Sequence, residues 1–590
     1  MGIPYDPYIF SDQLLENAWS GLQVHQPILS DSGSDECIRK IGEWLNACEN
    51  EHLRCLRAPR ALQNDSLGHL TARRVIDLGD PDNIYPRLVS TGSPVRRWTA
   101  LSYCWGGRSS FITTKANVEQ REQIIPWASI PATFQDAMTL THRLGIRYIW
   151  IDAVCIIQDS PEDWLAEAEK MGNIYQDARF VIAADWAPSC DSGIFSTRQR
   201  HSLAIDVDLS IYETSHARQK IFVEKGSSQD FTSHQSDPSQ WHTGAFLRHS
   251  VLESNSRALN KRWLNPTLRR AWCFQERLLA TRILHFTAAE LIWECKTKID
   301  CECGIRHSSG NTLKQNLDNT LERLAAPDHA ELASSRTTAS KMWWNLVIEY
   351  SWCNLTFRSD RLPAISAMAR LFPALGTYWE GMWRQELPLS LLWREEFLED
   401  PDVQPSLENE KPTAPSWSWA SALYPIQESD WSHDQITTEV VDVLAPPSVD
   451  PKTYGQIYDR SFRLRGPVLG GILRYIPDSW FKKPMIQLRI VLDDGNTAPG
   501  MDFESSKLRF HADHRLSFDD KQGAITEMEV TCLAIKSTIS AEHGRVFDCL
   551  VLRLSAPGEG TRVRVGMATC IDSPLESKSV FTRVSEVKIA

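Results

Sequence analysis

Long apolar runs are missing from this chain of 590 residues. None approaches the roughly 20 residues that cross a bilayer, so no membrane span is expected. The opening Met1-Gly-Ile-Pro-Tyr-Asp6 carries neither a basic segment nor an apolar one behind it, and Asp6 stands where N-myristoylation wants Ser or Thr. The expectation is a cytoplasmic protein. Positive charge is in deficit, with 63 Lys and Arg against 75 Asp and Glu and a net charge of −12. That balance excludes a sequence-independent nucleic-acid binder and disfavours an anionic membrane surface as partner. The chain has no GxGxxG and no P-loop, which argues against a dinucleotide-dependent dehydrogenase or an NTPase. It has no internal repeat, and its cysteines nowhere adopt the paired CxxC…CxxC spacing of a standard zinc module.

What is present is ordinary globular composition, 42% hydrophobic and 23% charged. Fourteen cysteines are scattered over all regions and, without a secretory leader, read as mostly reduced thiols. Most of the 22 tryptophans are core packing, but several stand beside polar motifs. Patterning divides the chain into an N-terminal helical region (1–70), an α/β domain (71–300), a helical region (311–400) and a β-rich C-terminal region (412–590). The Ser/Gln/His-rich stretch 226–242 reads as an exposed loop and 401–415, with its four prolines, as a linker. Alternation over 462–475, 486–492 and 546–554 predicts sheet.

Within the α/β domain the alternation of elements is specific. Thr99–Tyr103, Arg147–Ile151 and Arg179–Ala184 are short apolar runs that predict buried strands. Between the first two, Ile130, Phe134, Ala137, Thr141 and Leu144 recur at helical spacing after Pro131, and Gly145 ends the helix. Between the second and third, Ser160-Pro-Glu-Asp163 is a helix start: a capping Ser, Pro in the first turn, acids near the positive dipole end. Strand, helix, strand, helix, strand predicts a parallel sheet flanked by helices. Arg270–Leu279 reads as a further helix, and Thr281–Phe286 and Glu290–Glu294 as further strands. In such sheets ligands bind outside the carboxyl ends of the strands, which here carry Cys104-Trp105-Gly106, Asp152 and Asp185-Trp186.

Several residues there invite a chemical reading. Ser102 and Tyr103 point to opposite sides of their strand, so one lines a site while the other is core. Trp105 and Trp272 either stack on a base or pack at the edge of the core. Gly106 and Gly107 allow close approach of backbone to a ligand. Asp152 either binds a hydroxyl group or caps its turn. Trp272 and Glu276 share a helix face. Glu276 is either a working carboxylate or the ion-pair partner of Arg270, Arg277 or Arg282. Cys155 lies in so apolar a run that it reads as core. Cys48, His52 and Cys55 share one helix face and, with Cys37, form a candidate zinc set. Cys295, Cys301, Cys303 and His307 form a second compact group. For both groups the competing reading is buried thiols.

Three signatures, Leu101-Ser-Tyr-Cys-Trp-Gly106, Trp150-Ile-Asp-Ala-Val-Cys-Ile-Ile-Gln158 and Arg270-Ala-Trp-Cys-Phe-Gln-Glu276, resemble the fungal heterokaryon-incompatibility (HET) domain and occur in its order. The core motifs span 97–277 with a variable insertion over 197–262. The flanks resemble the family too, at Trp44–Cys48 and Cys55, at Asp360–Ala364 and at Ala414–Trp419. The resemblance implies a role in non-self recognition and programmed cell death. The HET domain is in turn similar to Toll/interleukin-1-receptor (TIR) domains. That similarity implies a TIR-like parallel sheet, NAD as substrate, Glu276 as the catalytic residue, and Ser102, Tyr103, Trp105, Gly106, Asp152 and Trp272 around the nucleotide. It also implies self-association on activation, an incompatibility partner protein not identified by the sequence, and the alternative of a non-enzymatic, self-associating scaffold. The insertion is where this chain departs from the TIR pattern.

Overall fold

The computed structural model describes residues 28–56, 72–198 (except 81, 92–94, 96 and 108–110), 266–302 (except 289), 312–325, 332–396, 414–427 and 435–444. It also describes 461–476, 485–492, 495–498, 508–513, 526–540, 544–555, 560–572, 581 and 583–590, and the backbone of strands His201–Asp208 and Arg218–Lys225. The anticipated loop at 226–242 and most of the anticipated linker at 401–415 lie outside the described residues. The chain divides into two compact units, Met1–Asp328 and His329–Ala590.

The first unit opens with helix α1 (Asp35–Glu51), capped by Ser34, whose side chain accepts from the Cys37 backbone N–H. Its buried residues Cys37, Ile38, Ile41, Leu45 and Cys48 recur at helical spacing and form one stripe. One turn, α2 (Leu53–Leu56), follows His52. Then come β1 (Arg74–Asp80), β2 (Asn83–Ser90), β3 (Trp98–Ser102), α3 (Val118–Gln123), α4 (Ala132–Arg143) and β4 (Tyr148–Trp150). The unit continues through α5 (Asp152–Cys155), α6 (Pro161–Asp177), β5 (Phe180–Ala183), β6 (His201–Asp208) and β7 (Arg218–Lys225). It ends with α7 (Ala271–Leu279), β8 (Arg282–Phe286), β9 (Leu291–Cys295), β10 (Ile299–Cys301) and α8 (Leu313–Leu324).

The anticipated capping signals hold. The Ser160 hydroxyl accepts from the Asp163 N–H at 3.4 Å with Pro161 in the first turn of α6, and Gly145 leaves α4 at φ +69°. Eight strands form one sheet in the order β10-β9-β8-β5-β3-β4-β1-β2. The central four pair in parallel, with Trp98 opposite Tyr148, Thr99 opposite Phe180 and Val181 opposite Ile283. The sheet is nevertheless mixed, not wholly parallel: β1–β2 borders one side and β9–β10 the other, both antiparallel. The β1–β2 hairpin was not legible because a bulge between Asp77 and Gly79, and Pro86, interrupt its alternation. In the region of the insertion, β6 and β7 pair with each other and, among the described residues, with no other strand.

The parallel strands are buried on both faces. Ala100, Leu101, Ile149, Trp150, Phe180, Val181, Ile182 and Leu284 are all fully inaccessible, alongside Phe134, Ala137 and Met138 from α4 and Ile174 from α6. Each such aliphatic side chain contributes roughly 1.5–3 kcal/mol of transfer free energy. This is ample to hold short strands whose ends carry polar groups. Following the chain, β4 lies on one side of β3 and β5 on the other. The order therefore reverses at β3, the place in an open α/β sheet where ligand sites form.

The second unit begins with helices Leu332–Ser351 and Pro363–Ala369 and then short two-residue strand pairs. It ends in an eight-stranded sheet built on the long strands Ser461–Ile476, Thr526–Ser540, Gly544–Leu554 and Thr561–Asp572. Of the segments expected from alternation, 462–475 and 546–554 lie within its strands and 486–492 overruns the strand Met485–Val491 by one residue. Trp343, Trp344, Trp383, Trp393, Trp417 and Trp419 are fully buried here, which accounts for much of the tryptophan content. Arg564 is enclosed with them. It donates to Asp513 at 2.8 Å and to the Leu391 and Trp393 carbonyls, and its guanidinium lies 3.4 Å from the Trp393 ring centroid.

Candidate functional site

Three strand ends and one helix converge where the sheet order reverses. β3 delivers Ser102, followed by Tyr103, Cys104 and Trp105. β4 runs into Asp152, the first residue of α5. β5 runs into Asp185. Helix α7 crosses these ends and brings Arg270, its N-cap residue, with Cys273 and Glu276 one and two turns further on. Spacings of three residues put Cys273 next to Arg270 and Glu276 next to Cys273 along the helix surface.

Glu276 is 5% exposed and Ser102 is 2% exposed. Burial pushes the Glu276 carboxyl up to about 7. The Asp152 charge works in the same direction, while hydrogen bonds with Ser102 and Cys273 and the charge of Arg270 oppose it. Of the arginines proposed as ion-pair partners, Arg277 and Arg282 are engaged elsewhere, while the Arg270 charge acts on Glu276. Arg277 pairs with Glu294 at 2.9 Å, Arg282 donates to the Cys48 sulfur and to two carbonyls, and Arg270 donates to the Tyr103 carbonyl. Glu276 is thus an acid raised well above the ordinary carboxylate range, chiefly by burial.

Asp152 is partly exposed, and burial raises its pKa as well. Trp105 Nε1 donates to its Oδ2 at 2.9 Å and the Ala153 backbone N–H to its Oδ1 at 2.7 Å, so it both caps its turn and holds the indole. The Tyr103 ring packs edge-on against Phe134 at 4.9 Å, with Asp152 beside its hydroxyl. Both Ser102 and Tyr103 are therefore buried, one toward Glu276 and one between core and Asp152. Both carboxyl groups are raised, and the Arg270 charge acts against the rise in each. Burial works against the Arg270 charge, and the nearby Glu276 and Asp152 carboxyls favour it.

Other expected residues take different parts. Trp272 is partly buried and packs perpendicular to Trp164 at 6.2 Å. Gly106 has φ +73°, and a Cβ there would lie 2.2 Å from the Ser189 Cβ, so its close approach is to the 185–195 loop. Cys155 is wholly inaccessible and burial pushes its thiol up to about 12, which leaves it inert. Sequence reasoning missed a buried chain behind the site. His285 lies between Asp185 at 2.7 Å and Glu294 at 3.2 Å, Thr267 donates to Asp185, and Lys314 and Arg277 face Glu294. A His among the apolar residues Ile283, Leu284 and Phe286 was the available signal.

The expected zinc set is regrouped. The ligand atoms of Cys48, His52, Cys55 and Cys295 lie within 4.8 Å of one another. Cys37 is elsewhere, its sulfur 3.3 Å from the Asp31 carbonyl oxygen and 3.8 Å from Glu302. A fourth ligand from α1 was the expectation. The helix register turns Cys37 toward Glu302, and β9 supplies Cys295 in its place. Cys301 is buried in β10, and Cys303 and His307 lie outside the described residues.

A mixed α/β domain with paired carboxyls at its strand-order reversal is the class defined by this geometry. Residues 98–276 match the family model "Heterokaryon incompatibility protein (HET)", and the chain carries a HET domain. No curated protein and no solved structure matches the chain. No helix among the described residues is long and apolar enough to cross a membrane.

Proposed function

We propose that this HET-domain protein acts in fungal non-self recognition and programmed cell death by TIR-like hydrolysis of NAD, with Glu276 as the catalytic carboxylate. The observation that carries the reading is a buried acid with a pKa of about 7, set behind the partly exposed Asp152, Trp105 and Arg270 at the strand-order reversal. In the reaction the nicotinamide–ribose C–N bond breaks, its electron pair leaving on the nicotinamide nitrogen. Water adds at the anomeric carbon, and its proton passes to Glu276 and then to solvent. The products are nicotinamide and ADP-ribose. A carboxylate beside the anomeric carbon stabilises the oxocarbenium-like transition state or takes the water's proton. A base with a pKa near the working pH suits the second role. Trp105 is a base-stacking surface, Arg270 faces the phosphates, and Asp152 takes a ribose hydroxyl.

The depth of Glu276 favours a second reading, a self-associating scaffold in cell-death signalling that turns nothing over. One experiment separates the two. Purified full-length protein is incubated with NAD⁺ across a concentration series, and nicotinamide release is followed for wild type and Glu276→Gln. Release that rises with protein concentration and falls at least roughly 100-fold in the variant supports an assembly-dependent hydrolase. Absence of release from folded wild type, with cell-death output intact in the variant, supports the scaffold.

A further inference from the structure

The regrouped thiols behind the sheet carry an assignment of their own. We propose that Cys48, His52, Cys55 and Cys295 bind one structural Zn²⁺ that fastens the N-terminal helical segment to strand β9.

Three ligands come from one short stretch. Cys48 ends the buried stripe of α1, His52 is the residue at which that helix stops, and Cys55 lies in the single turn α2. The fourth comes from 240 residues away, at the last position of β9, so the site forms only in the folded unit. All four residues are buried, at 0%, 7%, 6% and 0% exposure. His52 Nδ1 is 3.4 Å from the Cys295 sulfur. Tetrahedral zinc with bonds of about 2.3 Å to sulfur sets ligand atoms roughly 3.8 Å apart. A cluster already within 4.8 Å needs only a small contraction. Three sulfurs and an imidazole at this separation are the soft tetrahedral donor set that selects zinc over oxygen-seeking cations.

The surroundings fit bound thiolates better than neutral thiols. The Arg282 Nε donates to the Cys48 sulfur at 3.2 Å, and its remaining hydrogen bonds go to the Arg179 and Cys55 carbonyls. This largely buried guanidinium therefore has no carboxylate among its hydrogen-bond partners in the described residues. Three thiolates and a neutral imidazole around Zn²⁺ carry one net negative charge, which Arg282 offsets. The Lys298 backbone N–H donates to the Cys295 sulfur at 3.4 Å, and the Thr297 hydroxyl lies 3.6 Å from the Cys55 sulfur. Donors aimed at ligand sulfurs are the outer shell that tunes a metal site. On binding, Zn²⁺ displaces the three thiol protons to solvent and no electron is transferred.

The test uses the full-length chain, purified without chelator from zinc-replete cells and read by elemental analysis. Wild type and Cys37→Ser should each retain about one zinc per chain, and Cys295→Ser should retain at least tenfold less. Cobalt exchanged into wild type should give the intense thiolate charge-transfer and tetrahedral visible bands of a sulfur-rich site. The cobalt spectrum decides the matter even where Cys295→Ser fails to fold. The proposal is overturned if folded wild type carries under about a tenth of an equivalent of zinc and gives no cobalt bands. It is equally overturned if Cys37→Ser loses the metal while Cys295→Ser keeps it, or if non-reducing mass spectrometry recovers two of the three cluster cysteines as a disulfide.

Discussion

Replacing Glu276 by Gln should stabilise the first unit, and only above a definite pH. In the folded chain the carboxyl is pushed from 4.5 up to about 7, first by burial. A raised acid contributes stability that is fully present below the unfolded pKa and is lost as pH rises through the folded value. The shift of about 2.5 units corresponds to roughly 3 kcal/mol at about 1.4 kcal/mol per unit, an upper figure for so enclosed a group. About three quarters of that loss falls between pH 5 and pH 8. Gln keeps the size and can still accept from Ser102, but it cannot ionise. Glu276→Gln should therefore match wild type within about 1 kcal/mol at pH 5 and exceed it by about 2–3 kcal/mol at pH 8. At roughly 2 °C per kcal/mol, the apparent Tm of the first transition should rise by about 5 °C at pH 8. Urea unfolding and calorimetry at the two pH values give the comparison. A variant equally destabilised at both would mean that the carboxyl is not strained by its surroundings, and the argument for a reactive acid would fall with it.

Further outcomes follow from the same contacts. Arg277→Ala leaves Glu294 buried without its 2.9 Å partner and should cost about 3–5 kcal/mol in urea unfolding, and adding Glu294→Gln should recover most of the loss. Gly106→Ala should cost about 3 kcal/mol, since a Cβ meets Ser189 at a positive φ; adding Ser189→Gly should relieve only the clash with the Ser189 Cβ, because the Ser189 Cα still lies 2.8 Å away, and a double-mutant cycle measures that part. In the second unit Arg564→Met should lower the corresponding transition by about 3–5 kcal/mol, because Asp513 loses its buried counter-charge.

The central strands were legible because burial on both faces demands continuous apolar runs, and Thr99–Tyr103 and Arg179–Ala184 are such runs. Helix α6 was legible because Ser160 and Pro161 act within one turn. The bordering strands were less so: Gly79 and Pro86 break the pattern that β1 and β2 would otherwise show. At the site, the helix carrying Trp272 and Glu276 could be read directly, but Trp272 packs on Trp164 while Glu276 meets Ser102 and Cys273, and its raised acidity depends on what covers it. The same limit separates Cys48, His52 and Cys55, whose shared face follows from helical periodicity, from Cys295, which reaches them through tertiary pairing alone. Gly106 was expected to let the backbone approach a ligand; the group that approaches it within the chain is Ser189, which sequence could not say.

The matched stretch, 98–276, is narrower than the sheet to which it belongs. It contains β3, β4 and β5, but β1 and β8, which cover their open sides, come from before and after it. A segment cut to those limits would expose the unpaired N–H and C=O rows of two flat apolar strands, an invitation to pair with other copies and aggregate. A transferable cassette for grafting this domain onto another protein would need at least the whole sheet, from β1 at Arg74 to β10 at Cys301, carrying its own borders with it.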